Sequence, residues 1–110
     1  MTNKPLQEPT FLILTALAGG PKHGYAILRD VEELSSGRVT LRAGTLYTAL
    51  DRLADEGLVE VDREEVVDAR LRRYYRITGA GATALADDAA RLRANATLAV
   101  RRLKLGGLTT

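Results

Sequence analysis

The residues best suited to chemistry lie in one stretch, RAGTLYTALDRL, which the spacing of its leucines predicts to be a helix. The leucines repeat at intervals of four and three residues: Leu46, Leu50 and Leu53. The polar side chains expected to share the opposite face are Thr45, Thr48 and Arg52. Hydroxyl and guanidinium groups on such a face can bind phosphate oxygens or the edges of bases. This helix is therefore a candidate for DNA recognition, with an ordinary amphipathic helix whose polar face is solvated as the alternative.

The start of the same helix adds three candidate DNA contacts. Arg42 stands at its beginning, and Tyr47 lies at the edge of the leucine stripe. Gly44 has no side chain to keep a sugar–phosphate backbone at a distance. Free N–H groups at a helix start attract phosphates, so small residues at this end suit close approach to DNA.

A second cluster is the arginine-rich stretch 63–76, which carries five arginines and the acidic residues Glu64, Glu65 and Asp68. The candidate DNA contacts within it are Arg70, Arg72, Arg73 and Tyr74. Neighbouring residues of a strand face opposite sides, so Arg72 and Arg73 cannot both lie flat on one surface. Charged edge strands also deter association between sheets, which is the alternative explanation. Because the hairpin follows a recognition-like helix, we favour a wing that holds the DNA backbone.

The remaining sequence predicts the elements that position these two clusters. Helices are expected from Pro9 to Ala18, from about His23 to Leu34, through the stretch above, and from about Ala82 to Leu105. RVTL, at residues 38–41, has β character, and LVEVDRE and RRYYRIT form a hairpin with EVVDAR at its tip. This order is that of a mainly α (α+β) winged helix-turn-helix domain. We expect a flexible N-terminus over residues 1–8, the DNA-binding domain over 9–79, and a C-terminal dimerisation helix and tail over 80–110.

The last helix carries a stripe of alternating large and small apolar residues. Its members are spaced by four, three, four, three and four residues: Leu85, Ala89, Leu92, Ala96, Ala99 and Leu103. Such a heptad-like seam, together with Phe11 of the first helix, predicts a homodimer, and folding back onto its own domain is the alternative. A dimer would hold two recognition helices about 34 Å apart, as successive major grooves require.

Four motifs, in this order and spacing, resemble the PadR family of transcriptional regulators. They are HGY at residues 23–25, GTLY at 44–47, L-x-R-L…EGLV, and an arginine–tyrosine strand ending in T-x-x-G. The resemblance spans residues 11–82, and the single C-terminal helix is similar to that of the short subfamily. It implies a homodimeric winged-helix repressor on an inverted-repeat operator in double-stranded DNA, relieved by a small aromatic effector. Tyr25 joins the expected DNA contacts, with its ring packed in the core and its hydroxyl at the surface.

The chain departs from the family pattern at four places. Ala43 and Thr48 replace prolines that usually flank GTLY, and Asp51 stands where a lysine or arginine is common. Asp68-Ala69 occupies the wing tip, where family members often have glycine. We therefore carry no DNA contact over to Asp51. The absence of tryptophan and the single phenylalanine leave few aromatic side chains for an effector site.

Composition excludes several other functions. Sixteen Lys and Arg against fourteen Asp and Glu give a net charge of only +2, so a DNA partner must be argued from where the charges lie. There are no cysteines, and the one histidine has no evident carboxylate partner, so we expect no enzyme, metal or cofactor. FLILTALA is too short to span a membrane, and we expect a cytoplasmic protein. A winged-helix protein-interaction module without DNA binding, supported by Asp51, Asp55 and Glu56, is the alternative function.

Overall fold

In the computed structural model, residues 4–107 are described and form four helices and a three-stranded antiparallel sheet. The elements are α1 (Glu8–Ala18), β1 (Lys22–His23), α2 (Gly24–Leu34), α3 (Ala43–Asp55), β2 (Val59–Val67), β3 (Arg70–Ile77) and α4 (Gly79–Leu105). The order of strands in the sheet is β1-β3-β2. The predicted winged helix-turn-helix with a long C-terminal helix is confirmed. The parts of the expected N-terminal segment and C-terminal tail at residues 1–3 and 108–110 lie outside the described residues.

The centre of the core is α1, which packs against α2, α4 and β3. The apolar face expected for α1 included Phe11 and Ala18, but Phe11 is only half-buried and Ala18 is exposed. The fully covered residues are Leu12, Ile13, Leu14, Ala16 and Leu17. Because neighbours surround α1 on several sides, its burial does not follow the single stripe of a surface helix.

The leucine stripe of α3 is buried as predicted. Leu46, Leu50 and Leu53 have no exposed surface and join Ile27 and Val31 of α2 in the core. Each buried side chain of this kind stabilises the fold by roughly 1.5–3 kcal/mol. The stripe thus fixes α3 along one face and leaves its opposite face directed to solvent.

The strand predicted for RVTL at residues 38–41 does not form. Ser35, which is buried, instead holds this segment: its Oγ accepts from the Val39 N–H at 3.0 Å and donates to the Val39 carbonyl at 3.3 Å. The third strand is Lys22–His23, which pairs with Tyr75 and Tyr74 of β3. A strand of two residues is too short for an alternating pattern to reveal it.

The hairpin is longer and its tip tighter than predicted. The expected six-residue tip EVVDAR was wrong, because β2 runs through Val67 and β3 begins at Arg70. Only Asp68 and Ala69 remain in the turn, with φ of 51° and 62°. Positive φ at both central residues is the property of a type I′ turn, whose twist matches that of a hairpin. The register also shifts between Val61 and Arg63, which leaves one extra residue, Asp62, as a bulge in β2.

The T-x-x-G motif forms a tight joint between α3, β2 and α4. The Thr78 hydroxyl donates to the Gly57 carbonyl at 2.6 Å and accepts from the Gly81 N–H at 3.0 Å, which caps α4. A Cβ atom on Gly81 would collide with the carbonyl oxygen of Leu58. Gly81 is therefore required because the start of α4 lies directly against the chain that leaves α3.

The two halves of α4 have different surroundings. Gly81, Ala84 and Asp88 are buried, whereas every residue from Leu92 to Gly107 is exposed. At 1.5 Å per residue, α4 is about 40 Å long, and it accounts for the extended 61 × 33 × 21 Å shape of residues 4–107. The Leu6 N–H donates to Asp88 at 3.4 Å, so part of the segment expected to be flexible lies against α4.

Candidate nucleic-acid interface

A groove of about 580 Å³ lies between the start of α2, the outer face of α3 and the outer part of the hairpin. Five of the residues predicted to contact DNA line this groove: Tyr25, Tyr47, Arg70, Arg72 and Arg73. Two of the three walls thus come from the helices and the third from the wing. The fold brings together two clusters that are more than twenty residues apart in the sequence.

Tyr47 is positioned in the groove by a glycine on the neighbouring helix. A Cβ atom on Gly24 would collide with the hydroxyl of Tyr47, so the tyrosine lies directly over the α2 backbone. Tyr47 is still 46% exposed, and its hydroxyl remains near the groove. This contact links the HGY and GTLY motifs physically. Gly24 was missed as a functional residue, although its place in HGY was the available signal.

The start of α3 is open to solvent. Its N-cap residue, Arg42, makes no side-chain capping hydrogen bond, and the first turn contains no acidic residue. Arg42, Thr45 and Thr48 are exposed, and a Cβ atom on Gly44 would meet nothing within 4 Å. Uncapped N–H groups at a helix start carry partial positive charge, so this end of α3 can accept a phosphate.

The five arginines of the hairpin divide into two groups. We name residues 59–63 and 74–77 the wing base, and residues 64–73 the wing tip. In the wing base, Arg63 binds Asp62 at 3.0 Å and Glu65 at 2.8 Å. Arg76 binds Glu60 at 2.6 Å and Asp62 at 3.6 Å. The pKa of Arg63 is raised by its hydrogen bonds to Glu65 and Asp62, so its charge is firmly engaged.

The arginines of the wing tip are largely unpaired. Within residues 4–107, no carboxylate oxygen lies within 4.0 Å of the guanidinium nitrogens of Arg70 or Arg72. Arg73 is intermediate, because its Nε lies 3.9 Å from Glu64. The guanidinium groups that border the groove are thus the ones most available to an external anion.

Tyr74 packs between two side chains of the wing base. The Arg63 guanidinium lies 3.9 Å from the centre of its ring, and the His23 ring meets it edge-on at 5.4 Å. Tyr74 is half-buried and belongs to the support of the groove more than to its surface. The cation–π contact stabilises the hairpin where β1 joins it.

His23 connects α2 to the wing. Its Nδ1 accepts from the Ala26 N–H at 3.4 Å and so caps α2, the role that the sequence suggested. Burial and, to a smaller extent, the charge of Arg72 lower the pKa of His23 below its ordinary value. The ring is therefore neutral at physiological pH, which keeps a nitrogen lone pair free to accept this hydrogen bond.

Two predicted contacts are placed differently from expectation. Arg52 donates to the Thr10 hydroxyl at 3.0 Å and binds Glu56 at 3.3 Å, so its side chain is held against α1 and away from the groove. The expectation that the Tyr25 ring packs in the core was wrong, because Tyr25 is 66% exposed. The Arg29 guanidinium lies 5.9 Å from the centre of that ring on the surface of α2.

A sequence model of the family described as "Transcriptional regulator PadR-like family" matches residues 13–87. The chain belongs to this family. Its members are transcriptional regulators, so the expectation that the chain is not an enzyme is confirmed.

One curated relative of this PadR-family chain is Transcriptional regulator Rv3488 of Mycobacterium tuberculosis. The two are 46% identical over 76 residues, which cover 69% of this chain and 67% of the relative. A PadR family transcription regulator from Clostridium difficile R20291 has the same fold, with a TM-score of 0.73 and 22% identity, over 88% of this chain and 99% of that one. Bacillus subtilis PadR in complex with operator DNA also shares the fold, with a TM-score of 0.66 and 24% identity, over 74% and 47% of the two chains.

The residues expected to mediate dimerisation of this PadR-family chain form one continuous surface. Leu85 and Phe11 are half-buried near the start of that surface. The others are exposed along α4: Ala89, Leu92, Ala96, Ala99 and Leu103. Within residues 4–107, no helix has the length and apolar character needed to cross a membrane.

Proposed function

We propose that this protein is a cytoplasmic, homodimeric transcriptional repressor that binds an inverted-repeat operator in double-stranded DNA and is released by a small aromatic effector. The observation that carries the proposal is the groove, which combines the uncapped start of α3 with the unpaired guanidinium groups of the wing tip. An anionic, elongated partner fits such a surface. That Bacillus subtilis PadR forms a complex with operator DNA supports the same assignment.

In this proposal the first turns of α3 enter the major groove. The buried leucine stripe fixes one side of the helix, and exposed Thr45 and Thr48 present hydroxyl groups on the other. Gly44 allows the phosphate backbone to approach the open N–H groups. Tyr47, held over Gly24, positions its hydroxyl for a phosphate or a base edge.

The wing tip binds the DNA backbone beside the recognition helix. Arg70 and Arg72 need not leave a carboxylate before they bind a phosphate. Each such contact releases condensed counterions from the DNA, so it contributes affinity that falls as salt rises. Base contacts from α3 then provide the choice of sequence.

Dimerisation is supported by the exposed apolar seam of α4, which no other described part of the chain covers. Two copies joined through this seam would present two grooves to one operator, whose symmetry would match that of the protein. Relief by a small aromatic effector is proposed from the family resemblance.

Footprinting on the DNA upstream of the protein's own gene tests this function. We expect two protected half-sites centred about 10–10.5 bp apart or a multiple of that spacing. A dimer that neutralises ~6–10 phosphates should lose about 10³–10⁵ in affinity between roughly 50 and 200 mM salt. Absence of any salt-sensitive binding, together with recovery of a protein partner, would instead favour a winged-helix protein-interaction module.

A further inference from the structure

The charges of α4 are separated along its length. Its two acidic residues, Asp87 and Asp88, lie in the first half, and residues 89–107 contain no acidic residue. The basic residues that follow are Arg91, Arg93, Arg101, Arg102 and Lys104. Two such helices placed side by side in parallel would align their basic ends. An antiparallel pair would bring each basic end to the acidic half of the other helix, where opposite charges attract.

The apolar seam of α4 is symmetric about residue 94. Spacings of four, three, four, three and four residues read the same in both directions. In an antiparallel pair centred at this position, leucine meets leucine at the ends and alanine meets alanine or leucine between them. The facing pairs are Leu85 with Leu103, Ala89 with Ala99, and Leu92 with Ala96. Every seam residue thus has an apolar partner from the other copy.

Asp88 adds an independent observation beside this seam. It is only 6% exposed, and its Oδ1 accepts from the Leu6 N–H at 3.4 Å and from Arg91 at 3.0 Å. Its Oδ2 has no hydrogen-bond donor among residues 4–107. Asp88 also lines a cavity of about 220 Å³ that Phe11 and Leu92 border. A buried carboxylate oxygen without a donor is costly, so this site is incomplete in the single chain.

The antiparallel register identifies the missing donor. Asp88 immediately precedes the seam residue Ala89, and Arg102 immediately precedes the seam residue Leu103. Residues at this position flank the seam on the same side, and in an antiparallel pair they face each other across it. Arg102 is exposed and has no carboxylate within 4.0 Å in residues 4–107. Its guanidinium therefore has the charge, the donors and the freedom that Asp88 requires.

We infer that α4 of a second copy packs antiparallel on this α4, and that its Arg102 donates to Asp88 beside the cavity bordered by Phe11 and Leu92. The inference rests on the homodimer of the proposed function and specifies its orientation and register. The same register brings Arg93 of both copies near the two-fold axis, at the solvent-exposed edge of the pair. There the long side chains can diverge into water, which screens their repulsion.

Disulfide cross-linking tests the orientation directly, because the natural chain has no cysteine. Ala89→Cys and Ala99→Cys are made separately, one of them with a tag that changes its mass. The two are mixed under reducing conditions so that subunits exchange, and are then oxidised. We expect a cross-linked dimer that contains one copy of each variant and little cross-linking of either variant alone, because a disulfide needs Cβ atoms about 3.5–4.5 Å apart.

The other outcomes separate failure of the inference from failure of the proposed function. Cross-linking of each variant with itself would show a parallel pair and overturn the orientation. A dimer in sedimentation that forms no cross-link in any mixture would overturn pairing through α4 and leave the homodimer intact. A monomer in sedimentation at working concentrations would overturn both.

A second measurement tests the Asp88–Arg102 pair. Arg102→Ala should raise the dimer dissociation constant about 10- to 100-fold in sedimentation, because each dimer contains the charged hydrogen bond twice. Arg101→Ala is the matched control, since it removes the same charge one position away and should have a much smaller effect. In an Asp88→Asn background, which keeps an acceptor for Leu6, Arg102→Ala should add little. Equal effects of the two arginine variants, or full additivity with Asp88→Asn, would overturn the pair.

Discussion

The wing base and the wing tip carry the same kind of side chain on the same two strands, yet they hold it in different states. In the base, Arg63 and Arg76 both reach Asp62, the bulged residue of β2, and each binds a further glutamate. In the tip, Arg70 and Arg72 face the groove without a carboxylate partner in the described residues. The difference lies in the acidic neighbours and not in the arginines.

This contrast assigns different tasks to the two ends of the hairpin. A single exposed ion pair contributes only about 0.2–1 kcal/mol. Arg63, however, combines two carboxylates with the ring of Tyr74, and Asp62 serves both arginines of the base. We interpret the base as a stiff support that presents the free arginines of the tip to DNA. The number of arginines in a hairpin is therefore a poor guide to the number of its DNA contacts.

The largest effect is expected when both free arginines of the tip are removed. Arg70→Ala/Arg72→Ala should weaken operator binding by at least about 100-fold, because a dimer loses four phosphate contacts. The slope of log K against log salt should fall in magnitude by about 3 to 4, at roughly 0.9 per contact. Binding titrations across a series of salt concentrations measure both quantities.

The matched control removes the two arginines of the base. Arg63→Ala/Arg76→Ala deletes the same number of positive charges from the same hairpin, yet the salt slope should stay close to that of the natural protein. Some loss of thermal stability is expected, since Tyr74 and Asp62 lose their partners. If the two double variants reduced the salt slope equally, the division between base and tip would be wrong.

A smaller effect is expected from the backbone of the tip. Ala69 has φ of 62°, a left-handed conformation that costs a non-glycine residue about 1–2 kcal/mol. Ala69→Gly should therefore stabilise the protein by about 1 kcal/mol, measured by denaturant unfolding. Ala90→Gly, at an exposed position inside α4, should instead destabilise it by about 0.5–1 kcal/mol. Destabilisation by Ala69→Gly would contradict the type I′ turn.

The smallest effect separates Arg72 from Arg70 within the tip. Burial is the larger cause and Arg72 the smaller cause of the lowered pKa of His23, so Arg72→Ala should raise that pKa only part of the way towards 6.5. Arg70→Ala should leave it unchanged. Because the unfolded chain binds the proton more readily, folding stability should fall as the pH drops below about 6.5 towards the folded pKa. An NMR titration of the imidazole distinguishes the two variants.

Much of the fold could be predicted because its signals are local and periodic. The stripe Leu46, Leu50 and Leu53, the glycines that end helices, and the Thr78 cap with Gly81 each follow from the spacing of a few residues. The two-residue strand β1 could not be predicted, because its only reason to form is its pairing with β3. RVTL had the composition of a strand, but Ser35 satisfies its backbone instead.

The candidate site could be predicted in residue type but not in direction. Arg52 lies at helical spacing from Thr48, yet Thr10 and Glu56 draw its side chain towards α1. Arg63 and Arg72 have the same chemistry in the sequence, and only the register of β2 against β3 decides which of them is paired. Long, flexible side chains take their direction from partners that are distant along the chain. Spacing alone does not identify those partners.

The joint at Thr78 and Gly81 determines how a signal could travel through the molecule. Thr78 ties the end of α3 to the first turn of α4, and the carbonyl of Leu58 leaves no space at Gly81 for a pivot. The reading helix and the long helix of one subunit must therefore turn together, as a lever turns with its handle. A ligand that tilts one long helix against its counterpart would change the distance between the two reading helices without deforming either subunit.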